Sequence, residues 1–305
     1  MIKISSLIKK YGDFKALNNV NLEISNGSVY GLVGINGAGK STLLRTIAGI
    51  YKPDAGNVRY DGKSVYDNPR VKREIAFVPD ELYLPDHATV DVMSQKFKDL
   101  YGGKFSSAKY RELLAAFKLD PSARFNSFSK GMRRQASTIL ALSLETKYIF
   151  FDETFDGLDP LKRAFVKKLI VEDVKSRGAT AIISSHSLRE LSDICDKIAV
   201  LNKGRLILES SISDYCGDVI KVQIAFSKGT DLSALKTLNI IESNVTGSVY
   251  TMVINGNKVN TLATLRAMSP LLIEDLPLSI EEVFNVELAR NGIDAFSCFG
   301  EEESK

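Results

Sequence analysis

Cysteine is scarce in this 305-residue chain: only Cys195, Cys216 and Cys298, odd in number and far apart. No metal-binding or redox spacing arises among them. The pattern reads as reduced cytosolic thiols and excludes a disulfide-stapled secreted scaffold. Long apolar runs are missing too. No stretch approaches the ~18 consecutive apolar residues of a spanning helix, and residues 1–6 lack the apolar core of a secretory signal. Excess charge of either sign is a third absence. With 40 Lys+Arg against 37 Asp+Glu the net charge is +3, too small to argue for nucleic acid or an anionic lipid surface. Histidine occurs twice, as His87 and His186, and no internal repeat or low-complexity linker is visible. What remains is ordinary: 44% hydrophobic and 25% charged, the averages of a globular protein, in a length that suits two domains of ~150 residues.

Periodicity divides the chain. Residues 16–24 alternate apolar and polar as a half-buried antiparallel strand does, Asn26-Gly27 is a turn, and residues 29–33 read as a short buried strand. Residues 42–48 open a helix, residues 57–60 and 75–78 read as another strand pair, and residues 90–144 are largely helical. Buried-strand patterns return at 148–151 and 180–184 with a helix at 161–177 between them. Strand, helix, strand in that order predicts βαβ units and a parallel sheet. The last such unit ends in strands at 197–201 and 205–209 around the Lys203-Gly204 turn. Near residue 215 the texture changes to strand (220–226), helix (232–238), a strand pair around Gly247-Ser248, helix (259–268) and a closing segment at 280–284. This predicts an α/β domain over 1–217 and a small α+β domain over 218–305 with a solvated acidic tail, Glu301-Glu302-Glu303.

Chemistry first shows at Gly34-Ile35-Asn36-Gly37-Ala38-Gly39-Lys40-Ser41, which fits G-x-x-x-x-G-K-[ST] between a predicted strand and a predicted helix. Glycines let successive backbone N–H groups turn onto phosphate oxygens, and the helix N-terminus adds partial positive charge. Lys40 would reach the β- and γ-phosphates, and the Ser41 hydroxyl would ligate Mg²⁺. A second feature is the apolar strand 148–151 running into Asp152 and Glu153. Two adjacent acids at a buried strand end carry two desolvation costs, which a cation or a catalytic task offsets. Asp152 would then hold the Mg²⁺ shell, and Glu153 would be the general base for an attacking water.

With these motifs in place, residues 1 to about 215 resemble the nucleotide-binding subunit of an ATP-binding cassette (ABC) transporter, in order and spacing. The resemblance implies a P-loop NTPase fold: a RecA-like core with an antiparallel β subdomain and a helical subdomain. It implies that Tyr11 stacks on adenine and that Asn36, Gly37, Ala38, Gly39, Lys40, Ser41 and Thr42 cradle the phosphates. Phe128-Ser129-Lys130-Gly131-Met132 resembles the signature motif, so Ser129 and Gly131 would face the γ-phosphate bound by a second copy. Asp156-Gly157-Leu158-Asp159-Pro160 resembles the loop linking the two sites, and His186 the histidine that contacts the γ-phosphate and orients water. Each has a bland alternative: a surface aromatic for Tyr11, a helix N-cap for Ser129, a structural imidazole for His186.

The chain also departs from the pattern. Asp80, followed by Glu81, stands where Gln is frequent; there Asp80 would approach Mg²⁺, with a shorter reach. Lys130 replaces a usual Gly, Met132 a usual Gln, and Asp156 a common Ser. The acid at Asp80 and the base at Lys130, with residues 280–284, resemble the branch serving drug, peptide and polysaccharide export. The resemblance therefore implies ATP and Mg²⁺ as ligands, a homodimer closing on two nucleotides, and separate transmembrane permease subunits. It places the chain on the cytoplasmic face of the cell membrane and expects no nucleic acid. The competing reading is a soluble cassette ATPase acting on ribosomes or DNA. Against it stand the single cassette and the short interval of 112 positions between Lys40 and Asp152.

Overall fold

The computed structural model describes residues 1–81, 83–211, 219–227 and 229–290. The early alternation builds a hairpin. Strands β1 (Ile2–Tyr11) and β2 (Phe14–Ile24) pair antiparallel from Ile2↔Ile24 to Tyr11↔Phe14, with register shifts after Ile4. Buried strand β3 (Val29–Val33) leads through the glycine-rich loop into helix α1 (Lys40–Ile47). Strands β4 (Ala55–Tyr60) and β5 (Lys63–Ser64) follow, then the short helix α2 (Pro69–Lys72) and strand β6 (Ile75–Val78).

Residues 57–60 and 75–78 do not pair with each other. The former, in β4, lie against β1 and β5 in a four-stranded sheet of order β2-β1-β4-β5. The latter, β6, take the edge of a second sheet. Asn68 explains the separation: its side chain accepts from the Val71 amide and caps α2, whose first residue is Pro69, so the chain turns away from β5.

Helices α3 (Val90–Tyr101), α4 (Ser107–Phe117) and α5 (Lys130–Leu142) fill the helical interval. Thr89, Ser106 and Ser129 cap them, each accepting a backbone N–H three residues on. Strand β7 (Tyr148–Phe151), helix α6 (Pro160–Arg177), strand β8 (Thr180–Ser185), helix α7 (Leu188–Ser192) and strands β9 (Lys197–Asn202) and β10 (Arg205–Ser211) complete the second sheet. Its order is β10-β9-β3-β8-β7-β6, and β3, β6, β7, β8 and β9 run parallel. Leu43, Leu44 and Ile47 of α1 share one buried cluster with Ile2, Leu17 and Tyr60 of the antiparallel sheet and Leu32, Phe150 and Ile182 of the parallel sheet. A helix wedged into both sheets leaves its N-terminus, and the loop before it, with little freedom.

Contacts divide the chain into Met1–Glu209 and Ser210–Lys305, with the break eight residues before the one expected from composition. Residues 212–218, which contain that expected boundary and Cys216, lie outside the described residues, as do Cys298 and the acidic tail. Cys195 is buried against Gly31, and burial pushes its thiol well above the ordinary range.

In the second unit, strands β11 (Val219–Ala225), β12 (Asn239–Thr246), β13 (Val249–Asn255) and β14 (Leu272–Leu276) form an antiparallel sheet of order β12-β13-β11-β14. Helix α8 (Lys258–Ala267) contributes Leu265 to one buried cluster with Val222, Ile224, Met252 and Ile254. Helix α9 (Ile280–Arg290) contributes Val286 to another with Val219 and Val253. Residues 232–238 form only a 3₁₀ turn, Ser233–Thr237, too short a segment to sustain an α-helix. No helix of the described residues is long and apolar enough to cross a membrane.

Candidate active site

The loop between β3 and α1 is shaped by contacts that admit no side chain. Gly37 and Gly39 have φ of +82° and +107°, the left-handed region that glycine enters without cost. A Cβ on Gly39 would stand 2.7 Å from the Ala16 carbonyl oxygen, and one on Gly34 would overlap the Leu201 carbonyl oxygen. The loop is thus clasped between β2 and β9, and hydrogen bonds from Ala38 N to Ile35 O (3.1 Å) and from Gly204 N to Ala38 O (2.8 Å) close it. Gly34→Ala sets backbone against backbone. It is expected to destabilise the protein by about 1–3 kcal/mol and to weaken nucleotide binding. Thermal unfolding and equilibrium binding of a fluorescent ATP analogue check this; parental values for both would show that the clasp is dispensable.

Inside the loop Lys40 is 5% exposed. Its ammonium donates to the carbonyls of Gly34 (2.6 Å) and Ile35 (3.2 Å) and pairs with Glu153 Oε1 at 3.0 Å. Asp152, fully buried, accepts from Ser41 Oγ (3.0 Å) and Ser184 Oγ (2.7 Å) on the same oxygen, Oδ1. Its other oxygen, Oδ2, is buried with no hydrogen-bond partner among the described residues. Burial raises the Asp152 carboxyl above the ordinary carboxylate range, against the lowering pull of the Ser184 and Ser41 hydrogen bonds. An orphaned carboxylate oxygen beside a serine hydroxyl is a hard-oxygen donor pair, and these residues fit Mg²⁺.

Glu153 follows with φ of +46°, unusual for a residue with a side chain. Such a backbone costs on the order of 1–3 kcal/mol and persists only where the surroundings enforce it. Here the Glu153 amide donates to Ser184 Oγ at 3.0 Å. The twist presents Oε1 to Lys40 and Oε2 to His186 Nδ1, 3.2 Å away. Asp156 Oδ1 lies 3.9 Å from the same imidazole nitrogen. Burial first, and the neighbouring Glu153 charge second, raise the Asp156 carboxyl above its ordinary value.

The structure therefore gathers Lys40, Ser41, Asp152, Glu153 and His186 into one cluster. Tyr11 is a half-exposed ring at the β1–β2 turn, edge-on to Tyr51 at 6.3 Å, on the hairpin whose Ala16 borders Gly39. Asn36 and Gly37 form the exposed tip of the phosphate loop, Ala38 is buried and Thr42 lies in the first turn of α1. Ser129 caps α5, and a Cβ on Gly131 would stand 3.0 Å from the Gly157 carbonyl oxygen, which sets residues 128–132 beside residues 156–160. In that loop Asp159 caps α6 through the Lys162 amide at 2.9 Å.

Asp80, expected near Mg²⁺, has its carboxylate on Arg134 Nη2 at 2.9 Å. Arg134 is 1% exposed and also donates to the Asp80 carbonyl at 2.9 Å. Two site residues thus escaped the sequence reading. Ser184 left a faint sign, a hydroxyl closing an otherwise apolar strand. Arg134 left none, because a cation on a helix reads as a solvated face.

A family model described as ABC transporter matches residues 17–156. The chain is 30% identical over 284 residues to the ABC transporter ATP-binding protein YtrB of Bacillus subtilis, spanning 93% of this chain and 97% of that protein. It is 34% identical over 213 residues to the sulfate/thiosulfate import ATP-binding protein CysA of Caulobacter vibrioides, 67% of this chain and 63% of the relative. A solved structure of an ATP-binding subunit of an ABC transporter overlays with a TM-score of 0.64 at 29% identity, over 70% of this chain and 91% of that one. The fold is accordingly the P-loop NTPase cassette expected from the motifs. Since the likeness to YtrB extends over nearly the whole of both proteins, the chain belongs to the ATP-binding subunits of the ABC transporter family.

Proposed function

We propose that this chain hydrolyses Mg·ATP as a homodimer and so powers export through separate transmembrane subunits. The observation that carries the hydrolytic reading is the convergence of Lys40, Glu153 and His186 beside the Ser41–Asp152 pair. Ser41 and Asp152 would hold Mg²⁺, which supplies charge neutralisation on the β- and γ-phosphates when bound. Lys40 would exchange its loop carbonyls for phosphate oxygens. Glu153 would take the proton of the attacking water on a carboxylate oxygen, with the His186 ring fixing its direction. Tyr11 would stack on the adenine ring. Ser129 and the backbone of Gly131, at the N-terminus of α5, would complete the partner copy's site.

Membrane coupling has a candidate surface on the cassette: an apolar cavity of about 160 Å³ beside Asp80, lined by Phe77, Pro79, Tyr83, Met93 and Phe97 among others. Tyr83, 79% exposed, donates its hydroxyl to Glu81 Oε2 at 2.9 Å and leaves its ring at the rim of this cavity. Export is proposed from the resemblance of Asp80, Lys130 and residues 280–284 to the export branch. CysA, named for import, is similar over 213 residues, about the length of the first unit alone.

Affinity purification of the tagged chain from detergent-solubilised membranes tests the reading. It should bring down membrane subunits in fixed ratio; recovery with ribosomal RNA in their place overturns it. With those subunits in vesicles, ATP on the cassette side should drive substrate away from that side. Accumulation on the cassette side would establish import.

A further inference from the structure

We propose that Glu153, Asp156 and His186 form a binding site for one divalent transition-metal ion of the Zn²⁺ type, and that filling it arrests ATP turnover. Oε2 of Glu153 lies 3.2 Å from His186 Nδ1, and Asp156 Oδ1 lies 3.9 Å from that nitrogen. All three donor atoms fall within 4.8 Å of one another. Zn²⁺ takes imidazole and carboxylate ligands at ~2.0–2.2 Å in a tetrahedron, which sets donors roughly 3.4 Å apart. Rotation of the partly exposed Asp156 carboxylate closes the remaining gap.

The donors are held for this. Lys40 occupies the other Glu153 oxygen, so Oε2 is the one turned outward to His186. The Asp156 amide donates to the Glu153 carbonyl at 3.2 Å, which closes a turn carrying both carboxylates on one side. One imidazole and two carboxylates suit Zn²⁺, Co²⁺ or Ni²⁺ better than Mg²⁺, which prefers oxygen ligands alone and keeps its waters. The site is therefore chemically separate from the Ser41–Asp152 pair, although the two are neighbours. Asp156 completes it at a position where a serine would supply no comparable ligand.

Arrest follows from which atoms the ion takes. Glu153 Oε2 and His186 Nδ1 are the groups on which the proposed hydrolysis rests; metal coordination takes the carboxylate lone pair that would accept the proton and replaces the hydrogen bond by which His186 directs it. This consequence rests on the hydrolytic reading; the metal site itself does not.

The test uses the full-length, tag-free, chelator-stripped chain without nucleotide. Titration with Co²⁺ should develop the visible d–d bands of a four- or five-coordinate ion, saturating at one equivalent and bleached by Zn²⁺. Asp156→Ser should weaken Co²⁺ binding at least about tenfold, since one of three protein ligands is gone. In Mg·ATP assays, micromolar free Zn²⁺ should reduce parental turnover at least about tenfold, the scale on which loss of a general base acts. Asp156→Ser, each rate taken relative to the variant's own zinc-free turnover, should change less than about twofold under the same Zn²⁺ because its site lacks a ligand. Absent d–d bands, thiolate-to-cobalt charge transfer, or equal Co²⁺ affinity in Asp156→Ser would overturn the site. Equal Zn²⁺ inhibition of parent and variant would overturn the arrest. A parent inactive in Mg·ATP alone would remove the hydrolytic reading, and the Co²⁺ titration would still decide the site.

Discussion

Glu153→Gln should bind ATP and dimerise yet hydrolyse it about 10²–10⁴-fold more slowly than the parent, the range over which a positioned general base acts. The substitution is nearly isosteric, and the neutral side chain can keep a contact with His186 Nδ1. What it cannot do is accept the proton of the attacking water. It also removes the charge that holds Lys40 at 3.0 Å, so the ammonium is freer to move onto the phosphates and nucleotide affinity should be preserved or improved. The backbone at φ +46° is enforced by Ser184 and the end of β7; Gln carries the same strain as Glu, and the fold should be unaffected. Light scattering after size exclusion should find an ATP-dependent dimer that outlasts the parental one, because the nucleotide joining the copies persists. Single-turnover hydrolysis gives the rate. A variant that turns over ATP at the parental rate would remove Glu153 as the base.

Asp152→Asn should separate stability from function. The Asp152 carboxyl titrates above its ordinary value in the folded chain because burial disfavours its charge. The unfolded chain ionises first as pH rises. Stability from this group is therefore complete below the ordinary carboxylate pKa and is lost as pH rises through the raised folded value. At neutral pH the ionised carboxylate, with Oδ2 unpartnered, is a standing cost. Asparagine keeps an acceptor for Ser41 and Ser184 and removes the charge. The variant should melt a few degrees higher at neutral pH without nucleotide, as about 1 kcal/mol gives in a domain of this size. It should also lose most of the stabilisation that Mg·ATP confers on the parent, since that gain scales with affinity. Calorimetry with and without Mg·ATP, from about pH 4 to 8, measures both. An equal or lower melting temperature without ligand would mean that the charge is compensated in some other way.

Much of the site was legible because its parts are contiguous. The 34–41 loop carries its own strand and helix, and Asp152 and Glu153 sit at the end of an unmistakable apolar run. His186 was expected near them by resemblance, and it stands 3.2 Å from Glu153 although 33 positions separate the two. Ser184 and Arg134 were not legible. A buried hydroxyl holding both Asp152 and the Glu153 amide looks, in one dimension, like any strand-ending serine. Arg134 reads as a solvated cation until α5 brings it, 54 positions on, to the Asp80 loop. Asp80 shows the same limit from the other side. Resemblance set it near Mg²⁺, and only the structure shows its carboxylate on the Arg134 guanidinium 2.9 Å away.

The scarcities noted first, of cysteine, apolar runs and net charge, excluded classes of protein without choosing one. The choice came from short local patterns, which the sequence determines because a phosphate loop or a buried strand is built from neighbours along the chain. Strand order was decided only in three dimensions: residues 57–60 and 75–78 both read as strands, yet with a capped α2 between them they lie in different sheets. The pairing of Lys40 with Glu153, the unpartnered oxygen of Asp152 and the meeting of Glu153, Asp156 and His186 were decided there as well. Each depends on atoms brought within about 4 Å from separate strands and loops, where charge and hydrogen bonding act strongly, and such distances are set by packing.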